Sequence, residues 1–216
     1  MRVYIDLTSC NEALKMIKEW LVQGTPNAQN LVDFPWEVEA IDKNTLKAVH
    51  PRFPIEIDIL CSDEAKSIRA TILTPLETIN LDNASRVKLY RKLLRLNNMP
   101  LAKYMLYGDE DSIGVAVDLS TFTLGKKEFN DALAFLISGL VTVAKEFGVE
   151  EAIYMEMAEE LAKLVARHFE EGWSRDKLID YLVNIVGMKK EEAEEFLRNI
   201  GIKPGKTRGL GITPTM

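Results

Sequence analysis

Cysteine and histidine are scarce in this sequence, with two of each among 216 residues. Cys10 and Cys61 are too few for a disulfide framework and suit a reducing compartment, so we interpret them as small apolar residues rather than nucleophiles. His50 and His168 fall in different predicted modules, and neither cysteine has a partner at ligand spacing. We therefore expect no metal site and no cofactor, and the lack of a catalytic motif favours a protein that is not an enzyme.

Long apolar runs and an excess of positive charge are also missing. The longest charge-free apolar stretch, residues 132–144, has 13 residues, whereas a membrane span needs roughly 18. The 33 Asp and Glu residues outnumber 27 Lys and Arg residues, and the net charge of −6 disfavours non-specific binding of polyanions. The first residues lack the charged-then-apolar layout of a signal peptide. We expect a cytoplasmic protein without a membrane segment, in which 47% hydrophobic residues build a real core.

The spacing of apolar residues predicts an α+β region in the first two thirds of the chain. Ser9 and Glu12 have the spacing of a capping box, which opens a first helix that ends near Gly24. From Trp36 to Ile72 the apolar period changes to two, which predicts three main strands, with residues 46–49 as a short piece between them. A second helix, a hairpin and a third helix follow at residues 84–97, 103–119 and 125–147. The predicted fold is an antiparallel sheet in the order helix, three strands, helix, two strands, helix.

The β signals end at residue 148, and the remainder predicts an all-helical module. Helices are indicated at 150–171, 174–186 and 189–200, each followed by a glycine. We assign an α+β domain to residues 1–148, a three-helix module to 149–201 and a flexible basic tail to 202–216. Segment 201–207 has too few residues between its glycines for a P-loop. The last two helices have the length of a helix-turn-helix, but four glutamates between residues 191 and 195 would oppose DNA phosphates.

The second helix carries the most informative surface. Its apolar side chains fill about half of the circumference, and four cations form a narrow stripe beside them with no acidic residue among them. One interpretation is a broad core face with a solvated back, and the other is that part of the face contacts a second subunit or a partner peptide. The candidate protein-binding residues are Leu89, Tyr90, Leu93, Leu96, Arg91, Lys92 and Arg95.

The order of elements resembles the type III secretion chaperone-like fold, including the YbjN-like proteins that share it. The resemblance covers roughly residues 1–148 and rests most on residues 93–133, where a helix ends in Asn97 and Asn98, a hairpin follows, and Leu124 and Gly125 open the last helix. It implies a small acidic homodimer that binds an extended segment of another protein. The helical module after residue 148 departs from the compact pattern of this family.

Two hypotheses for function follow from these patterns. The first is a non-enzymatic, dimeric chaperone-like or adaptor protein, whose sheet edge or apolar surface takes up an unstructured polypeptide of a partner protein. The alternative is a nucleic-acid-associated regulatory protein that uses the cations of the second helix and of the tail. The candidate nucleic-acid-binding residues in the tail are Lys203, Lys206 and Arg208.

Overall fold

The computed structural model describes residues 9–203, and six strands in this range form one antiparallel sheet. The strands are β1 (Glu37–Ala40), β2 (Thr45–Val49), β3 (Glu56–Ser62), β4 (Ser67–Glu77), β5 (Lys103–Tyr107) and β6 (Ser112–Ser120). Their spatial order is β1, β2, β3, β4, β6, β5. Because β4 pairs with β6 rather than with β5, strands β1 and β5 form the two edges of the sheet.

Three helices pack on one face of this sheet. They are α1 (Cys10–Val22), α2 (Asn83–Leu96) and α3 (Lys126–Phe147). Helix α1 contacts β1 to β3, α3 contacts β4 and β6, and α2 contacts β5. The side chains beneath them, such as Ile59, Ile68 and Val115, are fully buried, because a strand directs every second side chain to the same face. The opposite face carries ion pairs, among them that of Arg69 with Asp118.

Side-chain caps start the first two helices where the sequence predicts them. The Ser9 hydroxyl accepts a hydrogen bond from the backbone N–H of Glu12, and the Asp82 carboxylate accepts from the N–H groups of Ala84 and Ser85. These bonds satisfy amides that have no acceptor within the first helical turn. Helix α3 ends at Gly148, whose φ of 67° is the left-handed conformation that glycine adopts without strain.

The predicted antiparallel sheet is present, but the predicted number of strands before α2 is wrong. Residues 46–49, interpreted as a short piece between strands, belong to β2, which pairs with β1 on one side and β3 on the other. The order is therefore helix, four strands, helix, two strands, helix. Pairing with a strand on each side fixes this five-residue segment as a strand of the sheet.

The helical region contains α4 (Glu150–Glu170), α5 (Arg175–Tyr181) and α6 (Lys190–Asn199), with one π-helical turn over Leu182–Val186. The chain divides into two compact units between Ala158 and Glu159, so α4 begins in the first unit and ends in the second. The core of the second unit includes the buried side chains of Leu178, Leu182 and Leu197. Ile202, which the sequence assigns to the tail, is buried in this core, and residues 204–216 lie outside the described range.

The two cysteines form a disulfide, with a Cα–Cα distance of 5.6 Å. Cys10 begins α1 and Cys61 lies near the end of β3, and both side chains are buried. Their interpretation as unpaired apolar residues of a reducing compartment is therefore corrected. The pairing depends on α1 packing across β3, which no spacing in the sequence specifies. The cysteines therefore no longer support a cytoplasmic location, because disulfides are rare in the cytoplasm outside hyperthermophiles.

We expect reduction of this disulfide to lower the free energy of unfolding. The bond closes a loop with a sequence separation of 51, and the entropy that such a loop removes from the unfolded chain corresponds to at most about 4 kcal/mol. Denaturant unfolding with and without reductant measures the difference. The matched control is Cys10→Ala/Cys61→Ala, which should unfold at one midpoint in both conditions; a wild-type midpoint that reductant leaves unchanged would contradict this expectation.

His50 lies between β2 and β3 inside an aromatic cluster. The ring centroids of Trp36, Phe34 and Phe53 are 4.7, 4.9 and 5.5 Å from that of His50. Its Nδ1 accepts hydrogen bonds from the backbone N–H groups of Arg52 and Phe53, at 3.1 and 3.0 Å, which fixes a neutral ring with the proton on Nε2. Burial, together with the nearby charge of Arg52, lowers the pKa of His50 to about 4.

We expect His50 to make the protein less stable as the pH falls from 6.5 towards 4. In this interval His50 binds a proton in the unfolded chain but not in the folded chain. Its contribution to the free energy of unfolding is therefore fully present above pH 6.5 and falls by up to about 3 kcal/mol as the pH decreases towards 4. Urea unfolding at several pH values measures the slope. In His50→Asn the amide oxygen still accepts the two backbone N–H groups but does not titrate, so a variant with the wild-type slope would contradict the assignment.

Candidate interaction surface

Helix α2 buries only part of the apolar half that its sequence pattern predicts. Of the candidate apolar residues, only Leu93 is buried, whereas Leu89, Tyr90 and Leu96 are half-buried against the core. Two other apolar residues of the same helix face solvent: Val87 is 55% exposed and Leu94 is 70% exposed. The structure therefore divides the apolar half of α2 into a packed part and an open part. The contact with a partner stays a prediction, and Leu93, one of the residues assigned to it, is buried in the core.

Tyr90 is held in a polar network rather than presented to solvent. Its hydroxyl lies 2.9 Å from Thr78 Oγ1 and donates to Asp111 Oδ2 at 3.1 Å. Arg86 donates to the same carboxylate oxygen at 2.8 Å and to the Tyr90 hydroxyl at 3.2 Å. Because Thr78 follows β4 and Asp111 precedes β6, this network fixes the first half of α2 against the β5–β6 turn. We assign Tyr90 a positioning role in the fold of this surface.

The four cations of the predicted stripe separate into one that is paired and three that are exposed. Lys92 forms an ion pair with Glu146 at 2.8 Å and lies 5.0 Å from the centre of the Phe147 ring, which joins α2 to the end of α3. Lys88, Arg91 and Arg95 are exposed, and helical spacing places them beside Val87 and Leu94. We call these five residues the α2 face: Val87, Lys88, Arg91, Leu94 and Arg95.

Exposed apolar side chains are frequent in the segment of residues 79–107, which contains α2 and β5. Of 16 large apolar residues that are exposed in the described range, eight lie between residues 79 and 107. Scattered exposed apolar residues are normal on a protein surface, whereas a local concentration marks an interaction site. Besides those of the α2 face, they are Ile79, Leu81, Met99, Leu101, Leu106 and Tyr107.

A groove of about 810 Å³ lies between the end of β6 and the first turns of α3. Leu101, Phe122 and Phe135 contribute apolar surface, and Lys126 lies on its lining. Leu101 belongs both to this groove and to the exposed apolar residues that follow α2. The two features therefore meet at the loop between α2 and β5.

Asp118, which also lines this groove, holds charged side chains of three adjacent strands together. Arg69 donates to its two carboxylate oxygens at 2.7 and 2.9 Å, and Lys103 forms a second ion pair with it. The hydrogen bond from Arg69 is the main cause that lowers the pKa of Asp118 to about 2. Lys103 is thereby attached to the outer face of β5.

The candidate nucleic-acid residues are not brought together within the described range. Lys203 is exposed after α6, whereas Lys206 and Arg208 lie outside the described residues. The solvent side of α6 presents Glu191, Glu192 and Glu195. A helix with this charge repels phosphates, so α6 is poorly suited to lie in a DNA groove.

The described range, residues 9–203, contains no cluster of three or more His, Cys, Asp and Glu side chains that could hold a metal ion. None of its helices is both long and apolar enough to cross a membrane.

Sequence reasoning missed two features of this surface. It did not single out Val87 and Leu94, because a helical wheel shows the width of an apolar arc but not which part of it the sheet covers. It also missed the contact of Asn97 with β5, in which the Asn97 side chain donates to the Tyr104 carbonyl at 3.0 Å and accepts from the Tyr104 N–H at 2.8 Å. Asparagine after a helix is so common that it predicts only the helix end.

Comparison with known proteins gives a structural likeness and matches to family models. The solved structure of the ExsC–ExsE complex contains a chain with 14% sequence identity and a TM-score of 0.41, and the alignment covers 65% of this chain and 96% of that one. No curated protein matches the sequence.

The family matches divide the chain near residue 148. Residues 148–205 match the model HTH_78, which is described as a domain of unknown function. Residues 15–147, well over half of the chain, match the model DUF8183, also described as a domain of unknown function. The chain therefore belongs to the DUF8183 family.

Proposed function

We propose that this protein is a non-enzymatic, dimeric chaperone-like or adaptor protein that binds a polypeptide segment of a partner. The observation that carries the proposal is that half of the exposed large apolar side chains in the described range lie in residues 79–107, the segment that contains α2 and β5. Leaving such side chains in water costs free energy that a bound partner recovers, at about 1.5–3 kcal/mol for each large side chain that becomes fully buried.

The charge of the α2 face indicates the chemistry of the partner segment. Lys88, Arg91 and Arg95 surround Val87 and Leu94 without an acidic residue in the same face, although the chain as a whole has a net charge of −6. A segment that combines apolar and acidic side chains would bury the first and neutralise the second. A symmetric contact between two α2 faces would place the three cations of each copy together. The α2 face therefore suits an acidic polypeptide better than a second α2 face.

This proposal predicts that substitutions in the α2 face weaken binding of an acidic, leucine-containing peptide. The probe is a fluorescent peptide in which leucine alternates with glutamate, and anisotropy measures its Kd. We expect Val87→Ser/Leu94→Ser to raise the Kd by about tenfold or more, because two apolar contacts are lost. Arg91→Glu/Arg95→Glu should also weaken binding, with a loss that shrinks at high salt.

The matched control is Leu60→Ser, which changes an exposed apolar residue on the outer face of β3. It should leave the Kd of the peptide unchanged. Equal binding by wild type and both α2 variants would exclude the α2 face as the docking surface. Mass spectrometry of proteins that co-purify from the native cell, with the Val87→Ser/Leu94→Ser variant as reference, then identifies the partner.

A nucleic-acid-associated role is the second candidate, and the match of residues 148–205 to HTH_78 favours it by name. The glutamates on the solvent side of α6 are the physical argument against it. Duplex DNA binding at about 50 mM salt that falls when Lys203, Lys206 and Arg208 are changed to glutamine would support this role over the first. Unchanged or undetectable DNA binding would reject it.

A further inference from the structure

The side chain of Asn97 occupies part of the open edge of β5. Asn97 follows the last residue of α2, and its amide makes two hydrogen bonds to the backbone of one residue, Tyr104. Its Nδ2 donates to the Tyr104 carbonyl at 3.0 Å, and its Oδ1 accepts from the Tyr104 N–H at 2.8 Å. A neighbouring strand would make the same pair of bonds, because it too presents one donor and one acceptor to each residue that faces it.

These bonds show which backbone N–H and carbonyl groups of β5 point away from β6. Since the Tyr104 N–H and carbonyl are bonded to Asn97, they point away from β6, and Tyr104 and Val115 form a non-hydrogen-bonded pair. Two residues along the strand, the N–H and carbonyl of Leu106 point to the same open side. The β5 edge thus offers two residues for strand pairing, and Asn97 covers only the first.

We propose that Asn97 guards the β5 edge, and that β5 of a second copy of this chain pairs with it when the Asn97 amide moves away. The proposal rests on the homodimer of the proposed function and assigns it a surface separate from the α2 face. Unpaired strand edges are recognised by other strands, and proteins block them with local side chains. An amide that satisfies the edge in the single chain must be displaced before a second strand binds, so it weakens association without preventing it.

The sequence of β5 suits antiparallel pairing with itself. In the register centred on Met105, Tyr104 of each copy lies opposite Leu106 of the other, and all four residues direct their N–H and carbonyl groups to the partner. This register forms four backbone hydrogen bonds over the full length of the strand. It also places Tyr104 and Leu106 side by side on the helix-facing side of the sheet.

The charges of β5 do not oppose this register. Lys103 is the only charged residue of the strand, and the antiparallel arrangement places it opposite Tyr107 rather than opposite a second lysine. Asp118 of the same chain already forms an ion pair with Lys103 on the outer face. A second copy is therefore the occupant that the strand itself specifies.

The test compares self-association of Asn97→Ala with that of wild type by sedimentation equilibrium of the full chain. We expect Asn97→Ala to tighten the β5-mediated association by about tenfold or more, because two competing hydrogen bonds are removed in each copy. Asn98→Ala is the matched control, since Asn98 is equally exposed and forms no hydrogen bond to β5 within the described range. Adding Leu106→Pro should abolish the gain, because proline removes the outward N–H and is tolerated on an edge strand.

Three results would overturn the proposal. They are an Asn97→Ala variant that associates no more tightly than wild type, a gain that Asn98→Ala reproduces, and a gain that Leu106→Pro leaves intact. The third result would mean that the homodimer forms through another surface. Peptide binding by the α2 face would be unaffected in every case.

Hydrogen exchange of the wild type gives a second measurement if Asn97→Ala does not fold. At low protein concentration the Tyr104 amide should exchange slowly and the Leu106 amide rapidly. At high concentration the Leu106 amide should become protected. Equal protection of both amides at low concentration, or no change with concentration, would reject the proposed edge.

Discussion

The structure depends on burying one face of a six-stranded sheet under α1, α2 and α3. Helices α1 and α3 cover β1 to β4 and β6, and the side chains between them form a continuous apolar core. The last strand, β5, lies mainly under α2, in which Leu93 is the one buried residue, and its Tyr104 side chain also reaches α3. The helices therefore cover the sheet unequally, and at the end formed by α2, β5 and the loop between them some apolar surface is left exposed by the described residues, 9–203.

Two kinds of unsatisfied group meet at this end of the sheet. The α2 face has apolar and cationic side chains, which a partner satisfies through burial and charge. The β5 edge has backbone donors and acceptors, which a strand satisfies through hydrogen bonds. The Thr78–Tyr90–Asp111–Arg86 network holds one end of α2, and Asn97 holds the other. Both surfaces are therefore attached to a rigid part of the sheet, which limits the entropy that a partner must remove on binding.

The elements that could be predicted are those that a few adjacent residues define, such as helix caps and alternating strands. The caps at Ser9 and Asp82, the glycine at the end of α3 and the alternation in β3, β4 and β6 each define an element from a few adjacent residues. Strand β2 and the disulfide were not predictable in this way. Strand β2 is fixed by its pairing with both β1 and β3, and Cys10 meets Cys61 only because α1 crosses β3.

The candidate site shows the same division. The sequence by itself determined that α2 has a wide apolar arc beside a cationic stripe, because helical periodicity follows directly from residue order. Only the tertiary structure decided that Leu93 is buried while Val87 and Leu94 are open, since this depends on which side of α2 meets β5 and α3. It likewise decided that Asn97 reaches Tyr104 across the edge of the sheet, because a hydrogen bond between a helix end and a strand requires both to be placed by the rest of the fold.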